Sequence, residues 1–118
     1  DGSSWEELSD CYVEQARSLP QGGQRTEVLR RAEKNYASLA SLLMRSGYNE
    51  HTWRLLYKRA ECLMEIDLDA LAAFFKNMEA RGFAGKWDAD DKGVSQWGYQ
   101  AKFEELRKKL EAVLPQTK

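Results

Sequence analysis

Few side chains in this sequence combine into a pattern that could do chemistry. His51 is its only histidine, which excludes a two-histidine metal site and a pair of histidines acting as acid and base. Cys62 falls three turns further along the same predicted helix, about 16 Å away along the axis. The two side chains therefore cannot form a nucleophile pair within that helix, and we expect His51 to lie exposed in the helix's first turn.

The two cysteines, Cys11 and Cys62, are far apart and lack the CxxC spacing of a metal or redox motif. We expect both to be buried free thiols, which favours an intracellular protein. The alternative is a single disulfide between helices in an exported, effector-type protein.

The closest approach to a metal site is the segment Asp88-Ala-Asp90-Asp91-Lys92-Gly93. Its spacing resembles the start of an EF-hand loop, in which carboxylates surround Ca²⁺ and a glycine makes the turn. Lys92, however, would place an ammonium group against the ion, and Tyr99 stands where that loop needs a bidentate glutamate. We predict a solvated turn leading into the last helix, with no metal and no cofactor.

Adjacent carboxylates occur at Glu6-Glu7, Asp90-Asp91 and Glu104-Glu105, where we expect them to be solvated. The sequence has no phosphate-binding loop, no dinucleotide-binding glycine pattern after a strand and no Gly-x-Ser-x-Gly motif. These features predict a protein without enzymatic activity.

The elements that would position these residues are helices. Apolar residues recur at three- and four-residue spacing, and no stretch alternates as a strand does. The predicted helix starts are, in chain order, Ser4 in a capping box with Glu7, Thr26, Asn49 and Asp69. The last helix carries Tyr99, Phe103, Leu106, Leu110 and Val113, and Pro115 stops it. The first helix is expected to turn one apolar stripe toward the core, made of Trp5, Leu8, Tyr12, Ala16 and Leu19.

This pattern predicts an all-α fold of about five helices, in an antiparallel bundle or as stacked helical hairpins. A chain of 118 residues suits one domain, residues 1–118. The absence of an initiator Met favours an excised domain or a processed chain. No apolar run is long enough to span a bilayer, so we expect no membrane insertion.

The segment from Gly82 to Gly98 is the one the helical pattern does not explain. Loops of this length in small domains are often functional, and Trp and Tyr are enriched at binding hot spots. If the rings of this loop are exposed, we expect a partner to contact Phe83, Trp87, Trp97 and Tyr99. The alternative is a self-packed Ω-loop whose tryptophans cover one end of the core.

The charge balance bears on the class of partner. Lys and Arg number 18 against 19 Asp and Glu, which gives a net charge of −1. Binding to nucleic acid is favoured by a basic surplus that this chain lacks. The sequence therefore argues against nucleic acid as a partner and favours another protein.

A partial internal repeat favours a different function, since Met44-Arg-Ser-Gly47-Tyr48 is followed about 34 residues later by Met78-Glu-Ala-Arg-Gly82-Phe83. Thr52-Trp53, Leu71–Met78 and Arg81-Gly82 resemble a pentatricopeptide-type repeat, although the joint between the two helices lacks that family's small Gly-containing turn. The resemblance spans roughly half of the chain and implies a helical-repeat fragment that binds single-stranded RNA. In that case Arg54, Lys58 and Lys76 would matter more for binding than the loop. We assign none of that family's base-contacting positions to residues of this chain.

The leading prediction is a non-enzymatic helical module, of the adaptor, regulatory or effector type, that contacts a partner protein through its aromatic-rich loop and helix ends. The helical-repeat fragment that binds RNA is the alternative. A small enzyme or ligand carrier with an inter-helix pocket is the third possibility. That third function needs polar residues within the apolar stripes, where the sequence shows almost none.

Overall fold

A computed structural model describes residues 2–83 and 85–114 of the chain. Within these ranges the chain forms five α-helices: α1 (Gly2–Arg17), α2 (Gly23–Met44), α3 (Glu50–Ile66), α4 (Leu68–Ala80) and α5 (Tyr99–Val113). The described residues form no strand, and one isolated bridge pairs Ala89 with Ser95 in the loop before α5. The all-α prediction is confirmed, while the expected stop at Pro115 lies outside the described residues.

Side-chain caps define the starts of α3 and α4. Asn49 Oδ1 accepts a hydrogen bond from the Thr52 amide at 3.0 Å, and Thr52 Oγ1 accepts one from the Asn49 amide at 3.4 Å, a reciprocal capping box. The cap of α4 is Asp67 and not Asp69, since Asp67 Oδ1 accepts from the Ala70 amide at 3.0 Å. Asp67 also ends α3, so the two helices share one residue as their joint.

The first two helices begin earlier than their sequence signals predict. α1 includes Gly2, which places Ser4 and Glu7 inside the helix instead of in a capping box at its start. α2 begins at Gly23, and the Thr26 amide donates to the Gly22 carbonyl at 3.1 Å. Thr26 is therefore already within the regular hydrogen-bond ladder, and no side chain caps this helix.

The helices form a slab with extents of 45 × 44 × 20 Å, about two helices thick. α2 packs between α1 and α3, and α3 also contacts α4 and α5. α3 is therefore the central helix, while α1 forms an edge of the slab and rests mainly on α2. None of the helices in the described ranges has the length and apolar character needed to cross a membrane.

Aromatic rings fill the region where α3, α4 and α5 meet. Phe103 is fully buried there, stacked on Trp87 with ring centroids 4.9 Å apart. Trp53 stands edge-on to Phe103 at 5.8 Å, and Phe75 stands edge-on to Trp87 at 5.7 Å. Offset and edge-to-face contacts of this kind add to the free energy gained from burying the rings.

Candidate functional site

Trp87 is a core residue and not a surface residue of the loop. Its side chain is 0% exposed. Its indole Nε1–H donates to the Glu104 carboxylate at 2.7 Å, and its backbone amide donates to Gln100 Oε1 at 2.7 Å. Both acceptors lie on α5, so Trp87 fastens the loop to that helix through apolar stacking and two hydrogen bonds.

Asp88 fastens the same loop to the start of α5. The buried carboxylate accepts hydrogen bonds from the amides of Trp97 at 2.9 Å, Tyr99 at 3.0 Å and Gln100 at 3.1 Å. It also accepts one from Ser95 Oγ at 2.8 Å. The residue before α5, Gly98, has no side chain to cap the helix, so Asp88 serves as the cap from a distance.

In the acidic segment that resembles an EF-hand loop, the carboxylates of Asp88 and Asp90 accept hydrogen bonds from nearby residues of the chain. Asp88 takes the four hydrogen bonds just described, and Asp90 Oδ1 accepts from the amides of Lys92 and Val94, each at 2.9 Å. Within residues 2–83 and 85–114, no three His, Cys, Asp or Glu side chains lie together where they could hold a metal ion. The segment is a hydrogen-bonded turn ahead of the last helix, with Asp88 buried and not solvated.

The predicted contact residues of the loop are mostly covered. Trp87 and Tyr99 are buried, and Phe83 and Trp97 are partly buried against the core. The Phe83 ring lies 5.0 Å from that of Tyr48 and 5.2 Å from that of Trp53. The condition on which partner contact was expected, exposed rings, is therefore not met at Trp87 and Tyr99. The loop matches the alternative, a self-packed segment whose tryptophans cover the core.

In helix α1, apolar residues that were predicted to be buried are exposed. Its expected core stripe faces outward at Trp5, which is 53% exposed, and at Leu8, which is 41% exposed. The residues that it buries outside this stripe are Glu6 and Ser9. Of the predicted stripe only Ala16 is fully buried. A helix that turns a carboxylate inward and an indole outward needs strong polar partners on the inner side.

Those partners are basic side chains from α3. Arg54 makes two hydrogen bonds to the Glu6 carboxylate at 2.8 and 2.9 Å, and Lys58 Nζ makes a third at 2.7 Å. His51 Nε2 lies 2.9 Å from Glu6 Oε1. His51 is therefore partly buried and paired, contrary to the expected exposure. Glu6 is only 7% exposed, contrary to the expected solvation of the Glu6-Glu7 pair, while Glu7 is exposed.

This ionic cluster also extends along α1. Lys58 Nζ lies 3.1 Å from each carboxylate oxygen of Asp10, and the Tyr36 hydroxyl donates to Asp10 at 2.5 Å. The hydrogen bonds from Arg54 hold the pKa of Glu6 at about 2, against the opposing effect of burial and with further help from Lys58. Glu6 is thus ionised at neutral pH and holds α1 to α3 by charge-assisted hydrogen bonds.

A groove of about 390 Å³ runs between α1 and α3, with α2 as its floor. Polar residues do line it, contrary to the expectation that the inter-helix surfaces are almost purely apolar. Apart from Glu61, its charges are paired with one another, however: Asp10 with Lys58, Glu14 with Arg17, and Glu65 with Arg25. A ligand in the groove would have to compete with these ion pairs.

The two thiols are free in the structure, and they differ in exposure. Cys62 is buried in the wall of the groove, as expected, and burial raises its pKa to about 12. Cys11 is exposed on α1, which corrects the expectation that both thiols are buried. Cys11 belongs to the outward part of α1, because it lies three residues beyond Leu8 and one turn along the helix.

The outward residues of α1 continue onto α2. The Asp10–Tyr36 hydrogen bond gives the antiparallel register of the two helices and places Trp5 at the level of Leu42, which is 56% exposed. Both helices line the groove with their other faces, so these apolar residues lie on the side away from it. We call this outer surface, defined by Trp5, Leu8 and Leu42, the α1–α2 apolar patch.

The orientation of α1 was not predicted from the sequence, although the sequence contains a signal for it. Glu6 and Asp10 are four residues apart, and Arg54 and Lys58 have the same spacing. Two rows of opposite charge at one helical turn can face each other across a helix pair. The spacing of apolar residues along one helix does not reveal this match of charges between two helices.

Comparison of the chain with protein-family models, with curated proteins and with solved structures finds no match.

Proposed function

We propose that this chain is a non-enzymatic protein-interaction module that binds a helical segment of another protein through the α1–α2 apolar patch. The observation that carries the proposal is the reversed burial of α1, with Trp5 outward and Glu6 inward. Fully burying one large apolar side chain is worth about 1.5–3 kcal/mol. Trp5 is 53% exposed and Leu8 is 41% exposed, so the isolated chain leaves about half of that free energy unused at each residue, and a partner that covers the patch would gain it.

The patch is also held ready for binding. Glu6 ties α1 to Arg54 and Lys58 of α3, so Trp5 and Leu8 stand on a helix whose rotation is restrained. A surface that is ordered before binding loses less conformational entropy when a partner docks. Trp is also the residue type most enriched among interface hot spots.

The shape of the patch favours a helix as the occupant. Trp5 and Leu8 lie one turn apart on α1, and Leu42 lies alongside on the neighbouring antiparallel helix. Two adjacent helices leave a shallow furrow between them, into which the apolar stripe of a third helix packs. The proposed occupant is therefore an amphipathic helix with an apolar residue at each turn.

Other functions have less support. The RNA alternative relies on Arg54, Lys58 and Lys76, and the first two have charges already paired with Glu6. The ligand-carrier alternative relies on the groove, whose charges are paired across its rim. The loop residues first predicted to bind a partner are largely buried. The α1–α2 apolar patch requires none of these contacts to break.

A selection experiment tests the proposal. The full chain is used to sort a yeast-displayed library of amphipathic helical peptides, and enriched peptides are titrated against variants. Trp5→Ala with Leu8→Ala should weaken binding by about tenfold or more, in the range of a lost hot spot. Val94→Ala with Val113→Ala removes exposed apolar side chains elsewhere and should leave binding unchanged.

Two results would refute this function. One is a library that yields no peptide whose binding depends on Trp5 and Leu8. The other is a stable dimer in sedimentation velocity that the Trp5→Ala, Leu8→Ala variant abolishes, because a second copy would then be the occupant of the patch.

A further inference from the structure

Three exposed basic residues of α2 have no ion-pair partner among the described residues. Arg31, Lys34 and Arg45 are exposed, and no described carboxylate lies within 4.0 Å of any of them. Several basic side chains that face another helix are paired, as Arg25 is with Glu65 and Arg59 with Glu33. Among the described residues, exposed cations without an ion pair also occur on α4 and α5, and those of α2 differ from them in lying next to the α1–α2 apolar patch.

These cations lie on one face of α2. Arg31, Lys34, Ser38, Ser41 and Arg45 follow one another at intervals of three and four residues, the spacing of a single helix face. Arg45 keeps helical dihedral angles as the residue that ends α2, so it stays on the same row. All five are exposed, and the row extends for about 21 Å along the helix.

The row borders the α1–α2 apolar patch. Leu42 of the patch flanks the row, because it is next to Ser41 and one turn from Ser38. The groove lies on the other side of α2, where Leu29 and Tyr36 form its floor. In the register set by the Asp10–Tyr36 hydrogen bond, Arg45 lies beyond the Trp5 end of the patch. Arg31 and Lys34 lie beyond its Leu8 end.

We infer that the helix that binds this patch is acidic along the edge that faces α2, with Asp or Glu at both ends of its apolar stripe. The inference rests on the proposed function and adds the charge of the partner to it. Oppositely charged side chains at the rim of an interface speed association and select the partner, because like charges placed there are repelled. An amphipathic helix with a basic edge would meet Arg31, Lys34 and Arg45 and be rejected.

The same surface fits a protein helix better than a nucleic acid or a membrane. Recognition of anionic lipid relies on clusters of about four to eight basic residues, and this row holds three exposed cations, with two serines between Lys34 and Arg45. Phosphate-backbone binding draws on a basic surplus, whereas this chain has a net charge of −1. A leucine and a tryptophan beside three cations instead match one apolar stripe with an acidic border.

The peptide selection described above tests the charge when its outward positions are randomised. Peptides sorted on the wild-type chain should carry a surplus of Asp and Glu over Lys and Arg along one edge. The variant Arg31→Glu, Lys34→Glu, Arg45→Glu should bind these peptides about tenfold more weakly or worse, with most of the loss removed at high salt. The control Lys76→Glu, Lys108→Glu, Lys109→Glu makes the same change of charge at exposed residues of α4 and α5 and should bind as the wild type does.

The outcomes separate this inference from the proposed function. Peptides that need Trp5 and Leu8 but show no acidic surplus would overturn the inference and leave the proposed function standing. The absence of any peptide that needs Trp5 and Leu8 would overturn both. A third outcome is that the chain binds phosphatidylserine vesicles or oligouridylate more tightly than the acidic peptides, and that the Arg31→Glu, Lys34→Glu, Arg45→Glu variant loses this binding. That outcome would also overturn the inference.

Discussion

The loop from Gly82 to Gly98 and helix α1 each carry tryptophan, and the fold places those tryptophans in opposite environments. Trp87 of the loop is fully buried and stacks on Phe103, whereas Trp5 of α1 is about half exposed. The inner side of α1 carries Glu6 instead, paired with Arg54 and Lys58. One region is held by apolar burial and the other by charge.

The contrast explains why a segment without regular structure can be part of the core while a regular helix can present its apolar side to solvent. Apolar burial has no preferred direction, so any chain path that covers the rings of α3, α4 and α5 is stabilised. An ionised carboxylate must be turned toward its cations. Glu6 therefore sets the rotation of α1, and Trp5 and Leu8 end on the outside as a consequence.

The largest effect is expected from Trp87→Ala. Removing a buried aromatic side chain costs about 3–5 kcal/mol, and this one also gives up the hydrogen bond to Glu104. Urea denaturation should show this loss in the free energy of unfolding. A loss below about 1 kcal/mol would mean that the loop does not carry core packing, since surface substitutions stay near or below that value.

Asp88→Ala should have the next largest effect. The substitution leaves the amides of Trp97, Tyr99 and Gln100 without their carboxylate partner, and unsatisfied buried donors cost about 1–3 kcal/mol each before water compensates. We expect a loss of about 2–3 kcal/mol in the free energy of unfolding. Hydrogen exchange should accelerate at the start of α5. Asp91→Ala, at an exposed position, is the control, and equal effects of the two variants would contradict the capping role.

Glu6→Gln tests the charge that holds α1. At neutral pH we expect a loss of about 2 kcal/mol, because Arg54 and Lys58 lose an ionised partner that is itself buried. Glu7→Gln is the matched control, since Glu7 is exposed one residue away. If both variants are equally stable in urea, the ionic cluster does not position α1.

The same cluster predicts a pH dependence. Arg54 lowers the pKa of Glu6 from its ordinary 4.5 to about 2, so ionised Glu6 stabilises the folded chain above pH 4.5. That contribution is lost as the pH falls from 4.5 toward 2. The stability difference between wild type and Glu6→Gln should therefore shrink over this interval in urea titrations. A difference that stays constant down to pH 2 would contradict the assignment.

The smallest effect is expected from Trp5→Ala. An exposed side chain on a helix contributes little to folding, so the free energy of unfolding should change by less than about 0.5 kcal/mol. The variant should lack the fluorescence component that iodide quenches readily in the wild type, because Trp5 is exposed whereas Trp53 and Trp87 are buried. A loss of stability as large as that of Trp87→Ala would show that Trp5 packs inside the fold.

Much of the secondary structure could be predicted from the sequence because the signals are local. Asn49 was correctly predicted as the cap of α3, and the apolar spacing of Tyr99, Phe103, Leu106 and Leu110 correctly marked α5. Helix boundaries were less accurate where two caps competed. Asp67 and Asp69 are both good caps, and Asp67 serves because α3 ends there.

The candidate site could not be predicted, because it depends on contacts between distant segments. The tryptophans of the loop were expected to be exposed or to cover the core, and only packing against Phe103 decided between the two. The stripe of α1 was assigned to the interior because Trp5, Leu8 and Tyr12 recur at the spacing of one helix face. The structure shows that Arg54 and Lys58, contributed by α3, outweigh them.

The sequence by itself determined the helical class, the approximate extent of each helix and the scarcity of residues for catalysis. These properties follow from spacing, caps and composition, which act over a few residues. The tertiary structure alone decided which side of α1 faces outward and whether Trp87 is exposed. Both depend on partners far away in the chain, Arg54 and Lys58 for Glu6 and Phe103 for Trp87, and a pattern within one helix does not contain them.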